Sequence, residues 1–555
     1  MLLRSVRVEN FRAVKSARIT FDPTTVLIGE NDCGRSSVME AVALALGWNA
    51  GEGEFLFQPF HVHRTVPAES SAAPSILIAL EFRESIEGEW DGQDFEVLRR
   101  DLPHALGRNR RFWLEVTNDG EGITRWFFRS PGQEPLPGNR ELLAWLRRRI
   151  PVFWMSEGVR SGKAAGPESK RLTGRGSTLL AGQVSRHYHE LLEGTALDVT
   201  AAIEAGAEAA QQLLLARDDL LTDPATPLGH MLQEIAGTRK PARAGRSPRA
   251  GASFGTAAQK IGTLMLVGSL LRAGRDPVER GTDPLTLIEN PEAHLHPMTL
   301  AAIWNVIDRV AGQKIIATHS GSVLASARLS SVRRLTRHQG VVKEWRVPDG
   351  TLTADELRRY SYHLRSRRAA ASFARCWLLV EGETEFWLMG ELARLCGYDL
   401  ASEGVACVEF AQCGLAALVK VAQHLGIEWH LLADGDQAGE NYAGSARQHA
   451  GSGGVQNRIT LLREPDVEHS FWRYGYADVF RRAAYPRNSS VDASAQRRAP
   501  ARAVIKRAIE RHSKPFLAVL LLDAAVDRGP AGVPPPLKNA IETCVRLARS
   551  GQAGV

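Results

Sequence analysis

At 555 residues, 44% hydrophobic and 24% charged, the chain is long enough for two to four domains, each with its own core. No apolar run reaches the roughly 18 residues of a membrane-spanning helix, the opening MLLRSVRVENFR is charged too early for a secretory signal, and six cysteines without a CxxC pair exclude a disulfide framework and a zinc cluster, so a cytoplasmic protein with reduced thiols is expected. The formal net charge of +7 and pI near 9.2 come from arginine clusters at 147–149, 239–249 and 365–368, which point to a polyanionic partner against the plainer reading of solvated arginines.

Val6 and Val8 alternate with Arg7 and Glu9, and an apolar run returns at 26–28, which predicts two strands flanking a turn near 11–15. The second strand runs into GENDCGRSS, residues 29–37, and then a helical pattern through Val38, Ala41, Val42 and Ala45. Strand, glycine loop and helix form the arrangement that cradles phosphate: backbone N–H groups turn toward phosphate oxygens, the helix N-terminus adds partial positive charge, and a hydroxyl reaches Mg²⁺. Gly29 and Gly34 hold the loop, Ser36 is the expected Mg²⁺ ligand, and Asn31 and Ser37 complete the expected contacts. Arg35 stands where lysine is usual, replacing a compact ammonium by a planar fork.

Further strands are predicted at 76–82, 113–116, 126–128 and 152–155, with a helix over 140–149. Residues 179–235 are alanine- and leucine-rich at helical spacing and read as an insertion, packed on the lobe or forming a dimer contact. The tract at 238–253 reads as a mobile basic loop. It leads to Ser253 and Gly255 before an apolar helix at 261–271, where head-to-head ATPase dimers present donors to the partner's γ-phosphate. LTLIENPEAHLHP (285–297) then places Glu289 at a strand end, suited to holding Mg²⁺ through water, and IIATHS (315–320) places His319 at another, suited to sensing the γ-phosphate.

Together these pieces resemble the ABC-type ATPase heads of the RecF, SMC and OLD (overcoming lysogenisation defect) families, from residue 1 to about 330. The glutamate that usually follows the Walker-B acid is here Asn290, which positions water but cannot take its proton, and Glu292 lies two residues on. ATP binding with slow hydrolysis is expected. The histidine pairs His61/His63 and His294/His296 lack a third neighbouring ligand and are assigned no metal. A strand at 341–347 and a basic helical region make 331–372 a connector.

LLVEGETE, residues 378–385, ends an apolar run in three glutamates; LLADGDQAG, 431–439, repeats the design with Asp434 and Asp436; Asp466 and Glu468 follow. Three acidic strand ends can converge on one site. Phosphodiester hydrolysis needs an in-line hydroxide and charge stabilisation on both the entering and the leaving oxygen, which two Mg²⁺ or Mn²⁺ ions supply, and such hard ions take oxygen ligands.

This part resembles a TOPRIM domain, and the order ATPase then TOPRIM resembles the OLD nucleases, including the OLD-like ATP-dependent endonucleases of enterobacteria. The resemblance implies that Glu381, Asp434 and Asp436 hold one ion and Glu385 with Asp466 or Glu468 the second, while Glu383 faces away. It also implies that Lys514, in HSKP, stabilises negative charge at the scissile phosphate. Residues 485–501 and 529–536 read as loops, and the last helix runs through Ile541, Val545 and Leu547.

The expected fold is α/β and multidomain: an ABC/SMC-like ATPase head (1–178 and 238–330) with a helical insertion (179–237), a connector (331–372) and a TOPRIM domain (373–555). The expected function is an ATP-binding, Mg²⁺- or Mn²⁺-dependent DNA endonuclease or nickase working as a homodimer. The alternatives are a nucleotide-gated DNA scaffold or sensor with an idle nuclease site, and a topoisomerase or primase, for which no tyrosine-bearing cleavage domain or zinc element is apparent.

Overall fold

The computed structural model describes residues 1–47, 55, 57–63, 75–107, 110–119, 123–150, 152–155, 283–293, 304, 307, 312–362, 369–449, 455–485 and 493–550. Two compact units, Met1–Glu344 and Trp345–Val555, are described in turn. The expected insertion at 179–237, the basic loop at 238–253 and the arginines at 365–368 lie outside the described residues.

The first unit is built on strands β1 (Leu2–Phe11), β2 (Val14–Thr20), β3 (Thr24–Gly29), β4 (Ile76–Arg83), β5 (Arg111–Asn118), β6 (Thr124–Arg129), β7 (Leu136–Pro137), β8 (Val152–Met155), β9 (Leu285–Glu289), β10 (Gln313–Ala317), β11 (Val332–His338) and β12 (Val341–Trp345). Among the described residues they form one sheet in the order β7-β6-β5-β4-β1-β2-β12-β11-β3-β10-β9-β8. One half, from β7 to β2, is antiparallel. There β5 alternates inward Phe112, Leu114 and Val116 with outward-leaning residues, the period-two pattern of a sheet with one wet face. In the other half β8, β9, β10, β3 and β11 run parallel, and β10 is buried throughout, as a strand covered on both faces should be. Helix α1 (Arg35–Ala45) packs Val38, Met39, Ala41 and Val42 into the same core.

Two expectations are corrected here. The turn near 11–15 leads into β2 rather than directly to the apolar run at 26–28, because β2 buries Val14, Ala17 and Ile19 and so breaks the period of two that betrays a strand. Strands β11 and β12 belong to the sheet, pairing with β3 and β2, so the first unit runs to Glu344 instead of ending at 330. Helix α2 (Arg140–Arg149) matches its expected span, with Asn139 accepting the N–H of Leu142 as a cap. Its last-turn arginines are mostly internal: Arg149 pairs with Asp283 at 2.9 Å, and Arg147 lies over the Phe55 ring at 4.7 Å. Those two are structural ions, not a surface for a polyanion.

The second unit holds a parallel sheet of β13 (Cys376–Val380), β14 (Val405–Glu409), β15 (Glu428–Ala433) and β16 (Ile459–Leu461), in the order β14-β13-β15-β16. Helices α3 (Glu383–Leu395), α4 (Leu415–His424) and α5 (Gln437–His449) follow β13, β14 and β15, the alternation that a parallel sheet requires. Beyond β16 the chain is helical: α6 (Val467–Phe471), α7 (Ala477–Ala484), α8 (Ala493–Arg498), α9 (Ala501–Arg511), α10 (Lys514–Arg528) and α11 (Pro535–Ser550). Apart from α8, these helices share one core with α3 and β13. The loop expected over 485–501 therefore contains α8, and the one over 529–536 is a single 3₁₀ turn, Gly529–Gly532, before α11. All six cysteines are free thiols.

Candidate nucleotide and metal sites

Strand β3 ends at Gly29, and residues 30–34 wrap round to start α1 at Arg35. Gly34 has φ +100°, a left-handed conformation that a side chain resists, so glycine is needed where the loop enters the helix. The carboxyl ends of β9 and β10 lie beside this loop, since Ala317 is in register with both Leu27 and Glu289. That edge is where an open parallel sheet places its ligands. Ser36 and Glu289, both expected near Mg²⁺, are hydrogen-bonded to each other. Asn31 is exposed on the loop and Ser37 is buried in the first turn of α1.

Arg35 does not reach outward. Its guanidinium is buried, with Nη1 donating to the Thr318 carbonyl at 2.7 Å and Nη2 contacting Nδ1 of His319 at 3.1 Å. Burial and then the charge of Arg35 hold His319 below the usual histidine range, against an opposing pull from Glu292, so the imidazole stays neutral and can accept from the guanidinium. Glu292 accepts the Thr318 hydroxyl at 2.8 Å and the His319 N–H at 2.6 Å. Both of its oxygens thus fix the end of β10 rather than standing ready for water. Asn290 has φ +47° and donates its N–H to the Ala317 carbonyl at 2.8 Å. Ser253, Gly255, His294 and His296 lie outside the described residues. His61 is buried among the rings of Phe11, Phe57 and Phe60, where burial first and Arg12 second bring its pKa to about 4; His63 bonds the Arg12 carbonyl at 2.7 Å.

In the second unit, β13 and β15 are parallel neighbours with Leu379 opposite Leu431, so both release the chain on one sheet edge. Glu381 is the first residue after β13 and Asp434 the first after β15. Glu385, in the first turn of α3, folds back so that Oε2 accepts the Gly382 N–H at 3.0 Å. Asp436 precedes α5 and accepts the Gly439 N–H at 2.8 Å. A Cβ on Gly439 would sit 1.8 Å from the Asp434 carbonyl oxygen, so only glycine lets α5 start this close to the strand end. Asp466 caps α6, taking the N–H of His469 at 2.7 Å and its ring nitrogen at 2.6 Å. Glu468 is 3% exposed, and Lys514 Nζ stands 3.4 Å from its Oε1. Glu383 is exposed.

Electrostatics join these groups into one cluster. Burial, then Glu385, Glu381, Asp466 and Glu468, push the Asp434 carboxyl up to about 8. Burial and then Glu385 and Asp436 raise Glu381, and burial raises Glu468 although Lys514 pulls it down. Burial opposes the charge of Lys514, but Glu468, Glu385 and Asp466 outweigh it and raise the amine. An all-oxygen set in which burial and then neighbouring charges disfavour ionisation of a carboxyl suits a hard dication. Among the described residues no three or more His, Cys, Asp or Glu side chains are already arranged to hold a metal ion. The donor types nevertheless fit a hard dication.

Compared with known proteins, the family described as "Protein of unknown function (DUF2813)" matches residues 1–214 and 249–371. The Uncharacterized protein YbjD of Escherichia coli (strain K12) is 32% identical over 577 residues, covering 99% of each chain. The chain belongs to the DUF2813 family. This DUF2813 protein also carries, at residues 373–436, the match described as "Overcoming lysogenization defect protein-like, TOPRIM domain", which includes Glu381, Glu385, Asp434 and Asp436. Solved structures align with it loosely. The C-terminal region of the Burkholderia pseudomallei OLD protein is 18% identical, covering 32% of this chain and 99% of that one, with a TM-score of 0.28. The SMC head domain from Thermotoga maritima is 13% identical, covering 63% and 100%, with a TM-score of 0.31.

The DUF2813 protein thus has a mixed α/β first unit built on one large sheet, followed by a parallel α/β unit that carries the OLD-like TOPRIM match. No helix among its described residues is long and apolar enough to cross a membrane. Its structure brings Gly29, Gly34, Arg35, Ser36, Glu289, Asn290, Glu292 and His319 to one sheet edge, and the six carboxylates with Lys514 to another. Sequence reasoning missed Thr318, which ties Arg35 to Glu292, and the buried Glu464, paired with Arg473 at 2.9 Å. The glycine three residues after Asp436 was the available signal for the tight start of α5.

Proposed function

We propose that this chain is a divalent-metal-dependent DNA endonuclease or nickase whose ATPase head binds ATP and controls access to the cutting site. The observation that carries the reading is the cluster of Glu381, Glu385, Asp434, Asp436, Asp466 and Glu468 beside Lys514, in which Asp434 is driven up to about 8. Such repulsion is costly to fold around unless a cation relieves it. Glu381, Asp434 and Asp436 would hold one Mg²⁺ or Mn²⁺, and Glu385 with Asp466 or Glu468 a second. Two such ions supply an activated hydroxide and stabilise the attacking and leaving oxygens. Lys514, held near the cluster by Glu468, presents its ammonium to the charge that develops on the phosphate. His469 orients Asp466 through its ring nitrogen.

In the head, the loop from Gly29 through Asn31 and Gly34 to Ser36 and Ser37 would cradle the nucleotide phosphates, with Ser36 and Glu289 serving Mg²⁺. Ser253 and Gly255 of a second copy would close the site in a homodimer. Hydrolysis is slow in this reading, since Asn290 takes no proton and Glu292 is engaged by Thr318 and His319.

Supercoiled plasmid with Mg²⁺ or Mn²⁺ tests the proposal. Nicked or linear product that vanishes in Asp434→Ala is expected. Plasmid left intact under every metal and nucleotide condition refutes it in favour of a DNA scaffold, and relaxed closed circles would indicate a topoisomerase.

A further inference from the structure

Helix α9 buries Val504, Ile505 and Ala508 and exposes Arg502, Lys506, Arg507 and Arg511. At 3.6 residues per turn these four fill about half the circumference, centred opposite the buried stripe. Just before it, α8 ends in the exposed Arg497 and Arg498. Residues 497–511 therefore carry six arginines and lysines against one acid, Glu510.

Several exposed arginines elsewhere in this unit are met by carboxylates: Arg549 by Glu403 at 2.5 Å, Arg394 by Glu391 at 2.7 Å, Arg528 by Asp478 at 3.1 Å and Arg358 by Asp355 at 2.8 Å. On α8 and α9, among the described residues, the one such pair is Lys506 with Glu510 at 3.7 Å, with both side chains well exposed, a geometry worth little. Arg507 is steadied over the Tyr485 ring at 4.9 Å. This concentration of unneutralised charge distinguishes the face from a generally arginine-rich surface.

Its position adds the second argument. Arg511 ends α9, His512 continues in extended backbone, Ser513 caps α10, and the first residue of α10 is Lys514, whose amine stands 3.4 Å from Glu468 in the acid cluster. From Arg502 to Arg511 the helix rises about 14 Å, a length over which duplex DNA presents about eight phosphates, both strands counted.

We propose that the exposed face of α8 and α9 binds the phosphodiester backbone of duplex DNA and leads it to Lys514 and the acid cluster. The proposal rests on the nuclease reading for the purpose of the track, but not for its existence. Backbone contacts of this kind are sequence-independent and salt-sensitive.

The test is binding of a fluorescein-labelled duplex by the full chain in EDTA, followed by anisotropy between about 50 and 200 mM salt. In the variant Arg502→Gln/Lys506→Gln/Arg507→Gln/Arg511→Gln, the slope of log K against log salt is expected to shrink by about 0.9 per lost phosphate contact, up to about 3–4 in all, with affinity down at least about tenfold. Arg394→Gln/Arg549→Gln, which removes acid-paired arginines, is expected to keep the wild-type slope. A quadruple variant with wild-type slope and affinity overturns the track even if the protein cuts plasmid. A wild-type protein that binds through this face yet leaves plasmid intact with Mg²⁺ and Mn²⁺ upholds the track and refutes the nuclease reading.

Discussion

Asp434→Asn removes one charge from the centre of the acid cluster and keeps the side-chain size. In the folded chain this carboxyl titrates at about 8, against an ordinary value of 3.8. Between those limits the unfolded chain has released the proton that the folded chain retains, so stability must fall as pH rises, by at most about 1.4 kcal/mol per pH unit. Over the whole window the ceiling is about 6 kcal/mol, which partial exposure of the group reduces to roughly 2–3 kcal/mol. In EDTA at pH 8 the asparagine variant is therefore expected to be more stable than wild type by roughly 2–3 kcal/mol, and near pH 4 the two should agree. Urea unfolding followed by tryptophan fluorescence measures this, since Trp377 and Trp429 are buried in the sheet next to the site. Added Mn²⁺ should stabilise wild type and not the variant. A variant equal to or weaker than wild type at pH 8 would refute the idea that burial, together with the neighbouring carboxylates, disfavours the Asp434 charge.

Other substitutions probe the remaining geometry. Lys514→Met should lower plasmid cleavage by about 100- to 1,000-fold while Mn²⁺ binding, followed by calorimetry, persists. Asn290→Glu is expected to raise ATP turnover in a phosphate-release assay and to cost about 1–2 kcal/mol in thermal stability, because residue 290 has φ +47°. Gly439→Ala should destabilise the second unit by about 1–3 kcal/mol and weaken Mn²⁺ binding with it, since the added methyl meets the Asp434 carbonyl.

Much of this architecture was legible because each site announces itself at a strand end. LTLIE, IIATH, CWLLVE and HLLAD are apolar runs that stop at a candidate site residue, and parallel pairing aligns those stops whatever lies between them. What stayed hidden depended on partners distant in sequence. Strand β11 reads as basic, VRRLTRH, and becomes a sheet member because the buried Arg333 pairs with Asp22 and Glu344. The inward turn of Arg35 was equally hidden, since the residues that hold it, Thr318 and His319, belong to another strand. Likewise, the proximity of Lys514 to Glu468 follows from helix packing that no local pattern encodes.

The two prongs of the Arg35 fork are already occupied, one by a carbonyl and one by an imidazole. A phosphate entering the loop is therefore a competitor, and its affinity is what remains after it replaces or shares those bonds. His319 is the same group that would register the arriving phosphate. On the proposed nucleotide reading, filling the loop and freeing His319 would be a single exchange, a toggle thrown by the ligand's own charge.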